Sequence, residues 1–112
     1  MLTNETTGSR ICSDTKVIRS TLGKAIGLMF SKKKSDSCLI FAFNPPRKID
    51  LHMFFVFYSI DLIFLGKNRE VIEIKQSFRP FTFYFPKTAA AYVIEAEEGA
   101  SRLVKLGDRI SF

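Results

Sequence analysis

The sequence predicts a mainly β fold (α+β minor), an antiparallel β-sandwich or barrel with one or two short helices packed on it. Three observations carry this. Phe occurs 12 times and Trp not at all, and aromatic and β-branched residues fit a pleated, half-buried surface better than a helix. Short apolar runs recur between clusters of Gly, Pro and Asn, at the close spacing of an all-β domain. Helical periodicity is clear in one short segment alone.

Taken in chain order, residues 1–9 are polar and read as a frayed end or a short edge strand, with Thr7-Gly8-Ser9 as a turn. Arg10 to Ile18 is a weaker strand. Leu22, Ala25, Ile26 and Met29 then fall at i, i+3, i+4 and i+7, one face of a helix of about two turns. Ser20 or Thr21 can cap its start. Gly23 and Gly27 suit a helix lying close against a sheet. Lys32-Lys33-Lys34 sits in the polar stretch 31–37 and reads as a solvated loop.

The pattern then becomes β. Leu39 to Phe43 is a continuous apolar run that Asn44-Pro45-Pro46-Arg47 should break, because proline cannot donate to a ladder. Ile49 to Phe57 alternates. Ile60 to Leu65 and Glu70 to Gln76 form a hairpin around Gly66-Lys67-Asn68-Arg69, with Ile72 and Ile74 inward and Val71, Glu73 and Lys75 outward. Residues 77–88 are irregular around Pro80 and Pro86, with Phe81, Phe83 and Phe85 on one face of a short extended piece. Ala91 to Glu97 is a strand, Glu98 to Lys105 a short helix ended by Gly107, and Asp108 to Phe112 a last strand.

The 112 residues suit a single domain, 1–112, and 46% hydrophobic content is enough for a core. Residues 1–9 lack the apolar stretch of a signal peptide. The longest apolar stretch, Met53 to Leu65, is interrupted by Asp61 and is short of the roughly 20 residues of a spanning helix. A cytoplasmic protein outside the membrane is expected. Its net charge of +6 invites a polyanion partner, but the basic residues are scattered, as on a domain charged for solubility. Cys12 and Cys38 are too few for a disulfide framework. Cys38 opens an apolar run and is expected as a buried thiol.

Several local patterns, in order, resemble a known family. Lys24-Ala25-Ile26-Gly27-Leu28-Met29 resembles the "R-x-x-G-L-M" signature of the domain-of-unknown-function 192 family. His52-Met53 with Ile60-Asp61-Leu62 is similar to its "W-M…P-L-D" region. Tyr92-Val93-Ile94-Glu95 with Gly99 resembles "Y-V-L-E-x-x-A-G", and Gly107-Asp108-Arg109 its closing "G-D-x". Lys24 stands in place of Arg, Phe55-Val56 in place of Asn-Thr, Ser59 in place of Pro and Glu98 in place of Ala. The resemblance implies a small β-sandwich or barrel and no particular activity.

The candidate site residues are Lys24, Met29, His52, Asp61, Arg79 and Glu95. His52 is the single histidine and has no Cys or His at zinc-ligand spacing, so neither a metal nor another cofactor is expected. Asp61 lies among apolar neighbours and must be paired or hydrogen-bonded if buried, as a structural group or as a ligand-binding carboxylate. Glu95 poses the same question, and Lys24 and Arg79 are the nominated basic partners.

No nucleophile elbow, P-loop or dinucleotide fingerprint occurs, which weighs against an enzyme. The leading expectation is a small non-catalytic binding or interaction domain with a pocket or groove on a β scaffold. A second reading takes Arg79, Tyr84 and Lys87 as a basic and aromatic surface for nucleic acid or another anionic ligand. A third is a hydrolase-type enzyme using His52 or the acids.

Overall fold

A computed structural model describes residues 1–19, 36–48, 51–52, 59–79 and 82–112. The predicted helix around Leu22–Met29, and most of the alternating segment 49–57, lie outside the described residues. The described residues carry ten strands: β1 (Leu2–Asn4), β2 (Arg10–Cys12), β3 (Asp14–Ile18), β4 (Ser37–Arg47), β5 (Leu51–His52), β6 (Ile60–Leu65), β7 (Val71–Phe78), β8 (Phe83–Tyr84), β9 (Ala90–Glu97) and β10 (Ile110–Ser111). A 3-10 turn at Ala100–Leu103 replaces the longer helix expected over 98–105.

Five strands form the main sheet in the order β3-β4-β9-β6-β7, and three form a smaller one in the order β10-β1-β2. The main sheet is antiparallel except that β3 and β4 run parallel. A parallel pair needs a crossover of a dozen or more residues, and the stretch between Ile18 and Ser37 supplies that length. A third, two-stranded pairing joins β5 to β8.

The main sheet has apolar residues on both faces, as the continuous runs in β4, β6 and β9 require. On one face Cys38, Ile40, Ile63, Leu65, Ile94 and Ala96 meet Leu2, Ile11, Cys12 and Ile110 of the smaller sheet. On the other face Phe41, Phe43, Leu62, Phe64, Phe78 and Val93 form a second cluster, with Tyr84 packed against it. Strand register divides the two sets: Ile40 and Ile63 flank Ile94, while Phe41 and Phe64 flank Val93.

Four local expectations are corrected. Residues 2–4 are the central strand of the small sheet, with Leu2 and Asn4 fully buried, not an edge or a frayed end. The segment 10–18 is two strands, β2 and β3, because the chain switches sheets at Ser13. Strand β4 continues to Arg47: its register against β9 shifts between Ala42 and Arg47, so Asn44, Pro45 and Pro46 bulge out of the ladder. Val71 is buried rather than outward. A bulge between the Leu65–Val71 and Phe64–Glu73 pairs changes the parity of β7. Val71 and Ile74 then share the face toward the small sheet, and Glu73 goes to the Phe64 side.

The 60–76 hairpin forms as expected. Its turn closes through Gly66 N–H to Glu70 O (2.9 Å) and Arg69 N–H to Gly66 O (3.0 Å), with Arg69 at φ 63°. The Arg69 guanidinium lies 3.9 Å over the Phe112 ring. Ile110 N–H donates to Arg69 O at 2.9 Å, so the hairpin turn also joins the two sheets at one corner.

Candidate functional site

Asp61 is only 1% exposed on β6, and its register partner is Ala96, so it faces the small-sheet side. Among the described residues its hydrogen bonds come from three backbone amides. Oδ1 accepts Ser77 N–H at 2.9 Å, and Oδ2 accepts Gly99 N–H at 3.0 Å and Ser101 N–H at 2.9 Å. Such bonds satisfy a buried carboxylate and fix its neighbours. Here they hold the second irregularity of β7, where Ser77 has φ 50°, and the entry to the 3-10 turn, where Gly99 has φ 97°.

Glu95 is 6% exposed and pairs in register with Leu39 and Leu62, which places it on the opposite face, beside the Phe-rich cluster. Asp61 and Glu95 therefore do not converge, and they cannot act as the paired carboxylates of a glycosidase. Arg79 follows β7 and is exposed. His52 is in β5, paired with Phe83. Lys24 and Met29 lie outside the described residues.

Tyr84 does not join Arg79 and Lys87 on an outer surface. Its hydroxyl donates to Glu73 Oε2, and its ring packs against Phe64 and Phe78, with centroids 5.8 and 6.3 Å apart. Glu73 also accepts Lys87 N–H (3.0 Å), Thr88 N–H (3.1 Å) and Thr88 Oγ1 (2.7 Å). The rephased β7 thus directs a charged side chain that ties down the 84–88 segment. Phe85, whose period-2 spacing with Phe81 and Phe83 favours a buried face, is instead 63% exposed.

An open hollow of a size to hold a small molecule lies elsewhere among the described residues. It is a cleft of about 330 Å³ at one end of the inter-sheet core, between the end of β2, the start of β4, the end of β9 and the 3-10 turn. Ile11, Cys12 and Cys38 line its inner part, and Asp36, Glu97, Glu98 and Arg102 supply charge. Asp36 has φ 55° and its Oδ1 accepts Ser13 N–H at 3.1 Å. Hydrogen bonds from Ser13 hold the Asp36 carboxyl below its usual range, and the positive charge of Arg10 adds to this. Burial pushes the Cys38 thiol up, and the Cys12 thiol nearby adds to this. Among the described residues no cluster of three or more His, Cys, Asp or Glu side chains could hold a metal ion.

This cleft carried no signal in the sequence, because its two cysteines are 26 positions apart. They meet through pairing: Cys38 is the parallel register partner of Thr15, and Cys12 Sγ lies 3.6 Å from Thr15 Oγ1.

Among the described residues, the motif positions Asp61, Gly99, Gly107 and Asp108 have structural work. Asp61 and Gly99 are hydrogen-bonded to each other, and Gly107 has φ 91°, a left-handed conformation that glycine adopts without strain. Asp108 Oδ2 accepts the Asn4 side-chain amide at 2.8 Å and Lys105 N–H at 2.9 Å, joining the last loop to the first strand. Such motifs report a fold.

Comparison with known proteins agrees. A "UPF0127 protein" of Pyrococcus horikoshii is 31% identical over 114 residues, covering 100% of this chain and 98% of the relative. One from Thermococcus sibiricus is 34% identical over 116 residues and is covered to 74% of its length. The crystal structure of a protein of unknown function from Novosphingobium aromaticivorans superposes with a TM-score of 0.78 at 28% identity. That match covers 88% of this chain and 74% of the other. The sequence profile of the domain-of-unknown-function 192 family, described as "Uncharacterized ACR", matches residues 2–112, and the chain belongs to that family.

Proposed function

We propose that the chain is a small non-catalytic binding domain whose ligand seats in the cleft between the end of β2, the start of β4 and the 3-10 turn. The observation that carries this reading is the cleft itself. Its volume of about 330 Å³ falls at the lower end of the range of small-molecule pockets, roughly 300–1,000 Å³. An apolar inner part with a few charged groups at the margin is the usual make-up of such a site, the charges orienting a ligand held by apolar contact. Arg102 suits a carboxylate or phosphate group, while Asp36 and Glu97 suit an amine or hydroxyls. A zwitterionic or polyhydroxylated small molecule fits both.

Native mass spectrometry of gently purified protein is the first test, followed by an amide NMR titration with amino acids and sugar acids. The expected result is saturable shifts at Cys12, Cys38 and Gly99, weakened in Leu103→Trp, where a bulky ring at a part-exposed position narrows the cleft. Shifts confined to β5, Arg79 and Glu95 would move the site to the other face of the main sheet and overturn the cleft.

A further inference from the structure

We infer that Cys12 and Cys38 form a reversible disulfide that staples the small sheet to the main one, made by exchange with a low-molecular-weight disulfide of the glutathione class. Four observations support it. The two side chains belong to one buried cluster between the sheets. Each is fastened to a different sheet, Cys12 at the end of β2 and Cys38 near the start of β4. Strand pairing brings them near each other, since Cys12 Sγ lies 3.7 Å from Asp14 O and 3.6 Å from Thr15 Oγ1, and Thr15 is the register partner of Cys38. Finally, although they are only 2% and 4% exposed, both line the cleft, which gives a small reagent a route to them.

Buried structural cysteines are ordinarily inert, and Cys38 by itself would be one, since burial keeps it protonated. Cys12, which lines the cleft beside Thr15, is the entering nucleophile. Its sulfur attacks one sulfur of the small disulfide, and its proton passes to the other half, which leaves as a thiol. The Cys38 sulfur then attacks Cys12 Sγ, and the second half leaves as a thiol. The protein loses two hydrogens and two electrons, and the small disulfide is reduced to two thiols. The cross-link closes a loop of 26 positions that holds β3 and the crossover to β4. It restricts the unfolded chain, which raises stability without new packing.

The full-length chain is incubated in glutathione buffers of graded oxidised-to-reduced ratio, quenched with an alkylating agent and weighed intact. The expected product lacks two hydrogens and resists alkylation, and its digest joins the Cys12 peptide to the Cys38 peptide. Its melting midpoint rises by roughly 10 °C and returns on reduction. Cys12→Ser and Cys38→Ser do not form this product. Three outcomes would each overturn the inference: a glutathione adduct that persists in the wild type, oxidation only to linked dimers, or no oxidation of the native chain under conditions that oxidise it in urea. The readout is covalent and is taken on protein that native mass spectrometry shows to be free of ligand, so it fails or succeeds separately from the binding reading.

Discussion

The Asp61 carboxylate accepts the Gly99 backbone N–H at 3.0 Å, and this bond joins β6 to the turn that follows β9. The same oxygen holds Ser101 N–H, and the other oxygen holds Ser77 N–H across the neighbouring strand. One side chain thus sets three backbone segments. In a sequence an acid amid Ile60, Leu62 and Ile63 looks like a functional group. In the fold it is a clamp.

Asp61→Asn keeps one acceptor oxygen but turns an amide N–H₂ toward backbone donors. It should cost about 2 kcal/mol, and Asp61→Ala more, because buried donors lose their partner. Urea unfolding would show a midpoint lower by about 1 M with an unchanged slope. An Asp61→Asn midpoint equal to that of the wild type would remove the clamp.

Asn4 is the matching device at the start of the chain. Its side-chain amide donates to Leu103 O (2.9 Å) and Asp108 Oδ2 (2.8 Å), and its oxygen accepts Thr6 N–H (3.0 Å). Asn4→Ala should lower the melting midpoint by about 8 °C, corresponding to about 2 kcal/mol. Asn4→Asp should be worse at neutral pH, since two carboxylates would then face each other, and should recover in acid as one is protonated. Parallel melts of the two variants at neutral and acid pH check the order and its reversal.

Glu73 and Tyr84 make stability depend on pH at both ends. Burial works to raise the Glu73 pKa, but hydrogen bonds from Tyr84, Thr88 and the Lys87 and Thr88 amides outweigh it, so Glu73 stays below its usual 4.5. A depressed carboxylate contributes stability that is present above that value and lost as pH falls through the folded pKa. Tyr84 runs the other way. Burial, then its bond to Glu73 and the charge there, raise it from 10.0 to about 12. Its contribution is complete below pH 10 and lost as pH rises toward 12. Tyr84→Phe should cost about 1 kcal/mol near neutrality, and its deficit against the wild type should shrink toward both extremes. A deficit constant across the pH range would show that the hydroxyl's contribution does not run through the charge on Glu73.

What the sequence by itself determined was whatever depends on near neighbours along the chain. The hairpin of β6 and β7, the apolar strands β4 and β9 and the left-handed Gly107 are all local patterns of period or turn chemistry. The family resemblance was legible for the same reason, since its motifs are short runs with structural duties. Tertiary pairing decided the rest. A single bulge changed the parity of β7, burying Val71 and freeing Glu73 to hold Tyr84, and alternation read along the strand has no knowledge of a bulge. Pairing with β2 and β10 made β1 a central strand. Register alone sent Asp61 and Glu95 to opposite faces. The parallel union of β3 with β4 brought Cys12 and Cys38 together at the edge of a cleft. Register and strand order are properties of chain segments far apart in sequence, and they are settled by which apolar faces bury each other.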